Sequence, residues 1–289
     1  MTLRPMISVV IPTKDAGPGF EHLCRHLADQ RERFGLEVLV IDSGSGDGTA
    51  ETAERAGFRV HRIEPDEFGH GRTRNLGVRE TAGDVVCFLT QDVLPCTPDW
   101  PARFGAALAH PDVAGVYGRQ VPRDAATMEM FFVAMNYPEH PRWYRREDAH
   151  PEPGRVVFSN AFSAVRRDVW ERFPFPEDVP VSEDQAWAQS VLAEGYLIAY
   201  EPAAEALHAH HYTLRSLFRR HYLLARALRQ RRLDAAAGPW AAARVLAGEV
   251  AYFIHHGHLV RLPQLLVYEL VRWIGFQAGR WRGRVLLAI

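Results

Sequence analysis

Short apolar runs and helix-spaced apolar residues alternate along the first part of the chain. Met6 to Ile11, Leu36 to Ile41, Phe58 to Ile63 and Val85 to Leu89 are runs of strand length, closed by Pro12, Asp42, Glu64 and Thr90. Between the first two, Phe20 to Arg33 carries Phe20, Leu23, Cys24 and Leu27 at helical spacing. A second helix follows SGSGDGT, where Asp47 or Thr49 is the expected cap, and a third runs through Val78 to Glu80. The order β, α, β, α, β, α, β predicts a mostly parallel sheet with helices on both faces. Further on, the pattern predicts a helix from Asp99 to Ala109 and a strand over Val113 to Tyr117. Thr127 to Met135 reads as an aromatic helix lining a cleft. Val156 to Phe158 and Ala161 to Val165 read as short strands around Ser159 and Asn160. Pro138 to Pro153, rich in proline and charge, is the candidate for a mobile lid. Ser182 should cap a helix running to Glu194, and Leu197 to Tyr200 is a last strand.

Chemistry gathers where the strands end, as it does in open α/β sheets. In FLTQDVLP the apolar run stops at Thr90, Gln91 and Asp92, and Pro95 and Pro98 should block further pairing. Asp92 is thereby a candidate metal or leaving-group contact, and Asp42 has the same placement; the plainer reading of each is a turn-forming aspartate. PTKDAGPG lacks the Lys-Ser/Thr of a phosphate loop, and SGSGDGT has Thr49 where a dinucleotide fingerprint needs glycine. In HGRTRNLG, Arg72, Arg74 and Asn75 stand at a helix start, where free N–H groups and guanidinium favour an anion. In SEDQAW, Glu183 and Asp184 occupy a first helical turn; such acids suit the helix dipole, and one kept ionised there would serve as a general base. His208 and His210 alternate in HAHHY and offer a metal ligand.

Composition narrows the class. The 289 residues have an ordinary apolar share for a chain with a real core, and Cys24, Cys87 and Cys96 form no CxxC pair, which points to a reducing, cytoplasmic setting. No uninterrupted apolar stretch reaches membrane-spanning length; Leu262 to Ala278 is broken by Gln264, Glu269 and Arg272. The net charge of −1 hides an asymmetry: from Tyr212 onward, 13 arginines and no lysine face three acids, a balance of +10. This helical region, 212–289, therefore reads as an appendage to the domain over 1–211. Its arginines are solvated helix faces on the plain reading, or a surface meeting anionic lipid on the sharper one. Oligomer formation through it is equally open, and no motif points to nucleic acid.

Taken in order, IPTKD, DSGSGDGT, HGRTRNLG, FLTQDVLP, SEDQAW and LHAHHYTLRSLFRRH resemble the family 2 glycosyltransferases of GT-A fold, and the TQD and HxRTRN variants resemble their rhamnosyltransferase-like branch. The resemblance covers about Met6 to Arg232. It implies an inverting transfer from a nucleotide-diphospho-sugar, dTDP-rhamnose being one candidate, to a hydroxyl of a glycan or lipid-linked glycan at the inner face of the membrane. Pro12, Asp15 and Asp42 would hold the nucleobase and ribose, and Arg74 would touch the donor near its diphosphate. TQD takes the place of the DxD motif, with Gln91 at the donor and Asp92 as the carboxylate for Mg or Mn. His208 would reach the same metal, and Asp184, with Glu183 beside it, would be the catalytic base. Thr90 replaces the first DxD aspartate, which weakens metal coordination on that side. The QxxRW pattern of processive synthases is missing. A non-catalytic nucleotide-sugar-binding protein and a sugar nucleotidyltransferase are the alternatives.

Overall fold

The computed structural model describes residues 6–122, 128–149, 157–208, 212–230 and 239–281. Its first part alternates as the apolar runs dictate: β1 (Ile7–Thr13), α1 (Phe20–Phe34), β2 (Glu37–Asp42), α2 (Thr49–Arg55), β3 (Arg59–Arg62), α3 (His70–Glu80) and β4 (Val85–Leu89). Then come β5 (Leu94–Pro95), α4 (Trp100–Leu108), β6 (Val113–Val121), α5 (Met130–Asn136), β7 (Arg142–Tyr144), β8 (Phe162–Arg166), α6 (Arg167–Arg172), α7 (Glu183–Ala193) and β9 (Leu197–Leu207). Three helices close the chain: α8 (Leu214–Gln230), α9 (Pro239–His255) and α10 (Leu262–Arg280).

One sheet runs β3-β2-β1-β4-β8-β6-β9-β5, with β7 also paired to β9. The first four strands are parallel, joined by helical crossovers. β8 enters antiparallel between β4 and β6 and reverses the direction. Alternate residues feed two cores. Val9 and Ile11 meet Phe20, Leu27, Trp100, Phe104 and Phe162 on one face. Val10 meets Phe88, Tyr117, Phe158, Trp187 and Tyr200 on the other. Strands covered on both faces need continuous apolar runs, which is why Val85 to Leu89 is buried throughout.

Several expectations change. Pro95 does not stop pairing, because Leu94 and Pro95 pair with Leu207 and Ala206 on β9 at the sheet's edge, where a missing N–H is tolerated. The last strand is longer than Leu197 to Tyr200, since β9 gains partners on both sides. Pro138 to Pro153 is not a free lid over its described part. Arg142 to Tyr144 form β7, the Pro138 carbonyl accepts from the Tyr200 hydroxyl at 2.7 Å, and the Tyr144 and Tyr117 hydroxyls meet at 3.0 Å. Residues 150–153 lie outside the described residues, as do Thr127 and Val156. Val157 and Phe158 are buried but not in a strand. Ser182 stands at the N-cap of α7 with φ 64° and makes no side-chain cap.

α10 packs tightly along α8 because two glycines remove the side chains between them. A Cβ on Gly275 would lie 2.7 Å from the Phe218 carbonyl oxygen, and one on Gly279 would lie 2.3 Å from that of Tyr222. α9 is tied to α10 by charge: Arg272 reaches Glu249 at 3.2 Å and Glu269 at 2.5 Å, with Glu249 buried.

Candidate active site

The turn after β4 and the end of β9 bring Asp92 and His208 together, with Oδ1 3.6 Å from Nε2. His208 is buried, and its backbone N–H donates to the Val121 carbonyl at 2.8 Å. Its Nδ1 lies 2.7 Å from Oε1 of Gln120. An amide oxygen only accepts, so Nδ1 carries a hydrogen and Nε2, the nitrogen facing Asp92, is the one available to a metal. An anionic oxygen and an oriented imidazole nitrogen fit a divalent cation that takes its other ligands from phosphate oxygens and water. No group of three or more His, Cys, Asp or Glu suited to a metal occurs among the described residues. Thr90 adds no carboxylate, as its sequence position implied. Gln91 binds the main chain of Lys14 in both directions, accepting from its N–H at 2.7 Å and donating to its carbonyl at 3.0 Å. It therefore fastens the loop after β1 to the end of β4.

The second cluster forms at the start of α7. Asp184 accepts from the backbone N–H of Asn160 at 3.1 Å and of Gln185 at 2.7 Å. Glu183, buried, accepts from Arg74 Nη1 at 2.8 Å. Arg74 is equally buried and also donates to the His70 carbonyl at 3.2 Å. The expected open anion clamp is thus, at Arg74, an internal ion pair between α3 and α7. Arg72 remains at the surface, 3.9 Å from Glu177. Nor is Asp184 simply held ionised by the helix start: burial pushes its carboxyl up to about 7, the Glu183 charge adds to this, and Arg74 and the two N–H groups oppose it. Burial likewise pushes the His70 imidazole below its ordinary value; Glu183 opposes this, while Arg74 and Arg220 reinforce it. The clusters meet through the backbone, because the Thr90 N–H donates to the Ala161 carbonyl, next to Asn160, at 3.2 Å. His210 lies outside the described residues.

The loops after β1 and β2 form a third patch. Asp42 is buried and accepts from Thr13 Oγ1 at 3.1 Å, Ser45 Oγ at 2.5 Å, and the N–H groups of Gly44 and Ser45 at 3.2 and 2.9 Å. Its first task is therefore the turn. Asp15, with φ 45°, is exposed; its N–H donates to Ser45 Oγ at 2.8 Å and its Oδ1 accepts from the Gly46 N–H at 2.8 Å. Pro12 pairs in register with Ile41 below them.

Residues 8–173 match the family model described as glycosyl transferase family 2. The chain belongs to that family. Over 95% of its length the transferase is 30% identical to the O-antigen chain rhamnosyltransferase RfbN of Salmonella typhimurium, covering 89% of that protein. It is 28% identical to the O-antigen chain rhamnosyltransferase WbaN of Salmonella anatum, over 96% of this chain and 90% of the relative. In fold it is similar to the mannosyltransferase PcManGT of Pyrobaculum calidifontis, solved with GDP-Man and Mn2+. That match has a TM-score of 0.65 and 22% identity, and covers 97% of this chain and 89% of that one. The fold is GT-A-like, and the transferase is an enzyme of the rhamnosyltransferase-like branch, which removes the binding-only and nucleotidyltransferase alternatives.

Several residues of this transferase leave little mark in the sequence. Asn160 was visible only as a break between two apolar runs, yet it is fully buried, its N–H holds Asp184, and its side chain lies 3.4 Å from Glu183 and accepts from Ser163 Oγ at 2.9 Å. Gln120 lies inside a strand and gave no signal at all. Arg220, one of many arginines in α8, lies with its guanidinium 5.4 Å from the Tyr212 ring centre and influences His70 beside the Glu183 pair.

Proposed function

We propose that the enzyme transfers a deoxyhexose, with dTDP-rhamnose the favoured donor, to a hydroxyl of a growing lipid-linked glycan, with inversion at the anomeric carbon. What carries this reading is the link between the two clusters: the Asp184 carboxyl, pushed up to about 7 and held by the Asn160 N–H, and the Asp92–His208 pair, joined through the hydrogen bond from Thr90 to the Ala161 carbonyl. In the transfer, Asp184 accepts the acceptor's hydroxyl proton as that oxygen bonds to the anomeric carbon. The bond from that carbon to the diphosphate oxygen breaks, and its electron pair leaves with the nucleotide. A base with pKa near working pH combines a useful ionised fraction with real affinity for the proton, and such help is worth about 10²–10⁴-fold. Asp92 and His208 would hold Mg or Mn, which when bound supplies neutralisation of the charge arriving on the leaving diphosphate. Asp15 and the Asp42 turn, held in place by Gln91 and Ser45, would face the nucleoside; this role rests on their place at the strand ends.

The relatives' names support rhamnose as the sugar moved, and the nucleotide that carries it is tested with a panel. Purified enzyme is offered dTDP-, UDP- and GDP-linked sugars with lipid-linked acceptor, with and without manganese. Transfer from dTDP-rhamnose, strengthened by the cation, is the expected result. Transfer only from a GDP- or UDP-sugar would overturn the donor assignment, and full activity of Asp184→Asn would overturn the base.

A further inference from the structure

α10 shows its apolar side to solvent and turns its charges inward. Leu266, Val267, Leu270, Trp273 and Ile274 are exposed. Residues three and four apart share a helix face, so these form one stripe. Val260, 94% exposed, and Trp281, 78% exposed, extend it at the two ends. At ~1.5 Å per residue the stripe is about 30 Å long. The charged residues within the helix, Glu269 and Arg272, close on each other and on buried Glu249. A surface helix in water has the opposite arrangement. The inward side is already filled by α8, against which Gly275 and Gly279 pack.

The charge of the region that carries the stripe selects what it meets. Among the described residues from 212 to 281 the acids are Glu249 and Glu269, both bound to Arg272. Arg215, Arg219, Arg226 and Arg244 are exposed on α8 and α9, and Arg261 and Arg280 bracket α10. An apolar stripe with tryptophans, carried by a helical region whose exposed charges among the described residues are arginines, matches a bilayer interface with acidic headgroups. A second copy fits less well, because a two-fold contact sets each patch against itself and would bring arginine against arginine. No described helix is long and apolar enough to cross a membrane. We propose that α10 lies in the plane of an anionic phospholipid bilayer, with Leu270, Trp273 and their neighbours in the headgroup–acyl boundary and the arginines on acidic headgroups. This is independent of the donor and base assignments.

The experiment is flotation of the full chain with vesicles of phosphatidylcholine alone or with about 30% phosphatidylglycerol, at about 50 and 500 mM salt, beside light scattering over a concentration series. The chain should float with acidic vesicles at low salt and much less with neutral ones or at high salt. Leu270→Asp combined with Trp273→Asp should lower the bound fraction about tenfold or more, since each places a charge where the bilayer is apolar. Its helix content by circular dichroism should be kept, because both side chains are about half exposed and the α8-facing side of α10 is untouched, and Leu270→Asn with Trp273→Asn, polar but uncharged, controls for lost packing. Absence of wild-type flotation at low salt overturns the proposal, as does equal flotation of the double variant or equal capture by neutral vesicles. A dimer that the double variant breaks, without flotation, assigns the stripe to a second copy instead.

Discussion

Replacing Asp184 by asparagine removes the proposed base and also relieves the fold of a poorly solvated carboxylate. Burial lifts this carboxyl from its ordinary 3.8 to about 7, with the Glu183 charge as the next cause. Between those values the unfolded chain holds the group ionised and the folded chain holds it protonated. The folded state therefore loses ground as pH rises: the contribution is intact below about pH 4 and gone once pH passes about 7. Roughly three pH units at ~1.36 kcal/mol each set a ceiling of about 4 kcal/mol. Asparagine is neutral throughout, but it offers one acceptor oxygen where the carboxylate gave two, to the N–H groups of Asn160 and Gln185. That loss subtracts about 1 kcal/mol. Near pH 8 the variant should be more stable by ~3 kcal/mol, or about 6 °C for a chain of this size, and near pH 4 it should have no advantage. Thermal melts across that range, paired with turnover measurements showing a ~10²–10⁴-fold loss, check both halves. A melting temperature at pH 8 no higher than wild type, or a difference that does not grow with pH, would refute the reasoning.

Glu183→Gln removes a charge that raises the Asp184 pKa and leaves Arg74, which lowers it, without its partner carboxylate; the acid limb of the pH–rate profile should move down from about 7, as a turnover series over pH would show. Gln120→Leu leaves His208 without the oxygen that fixes its tautomer, so the manganese needed for half-activation should rise about 10–100-fold, measured by metal titration, with little change in secondary structure by circular dichroism. Arg272→Met strands buried Glu249 beside Glu269 and should cost about 3 kcal/mol near neutral pH, less in acid as the Glu249 carboxyl takes up a proton, and Glu249→Gln in the same chain should recover part of it in thermal melts.

The parallel half of the sheet was legible because strands buried on both faces must be apolar without a break, and Met6 to Ile11 or Val85 to Leu89 have no other use at that length. The edge was not. β5 and β7 exist because β9 offers them partners, and that pairing leaves no mark in Leu94, Pro95 or Arg142 to Tyr144. The candidate site divides the same way. Asp92, Asp184 and His208 are readable as candidates because ligands collect at strand ends and helix starts. Arg74 reads as an anion clamp because its partner, Glu183, stands 109 residues away, and a helix start looks the same whether its guanidinium meets a phosphate or a carboxylate. Asp42 follows its plainer reading as a turn-forming aspartate, whereas the main-chain partner of Gln91, Lys14, lies 77 residues away and leaves no mark beside it. In α10 the composition was plain, but direction was not: Glu269 and Arg272 looked like solvent-facing interruptions of an apolar run until α9 supplied Glu249.

The glycines of α10 act as an orientation key. Gly275 and Gly279 sit where α8 leaves no room even for a methyl group, against the carbonyls of Phe218 and Tyr222. Rolling the helix by one residue, about 100°, would drive a larger side chain into that backbone. The helix therefore has one permitted angle about its own axis, set by shape and not by which residues prefer water. Polar or charged substitutions on the far side cannot be accommodated by turning them inward, so what the outer face touches is decided residue by residue, and each change there is read out without the helix moving to hide it.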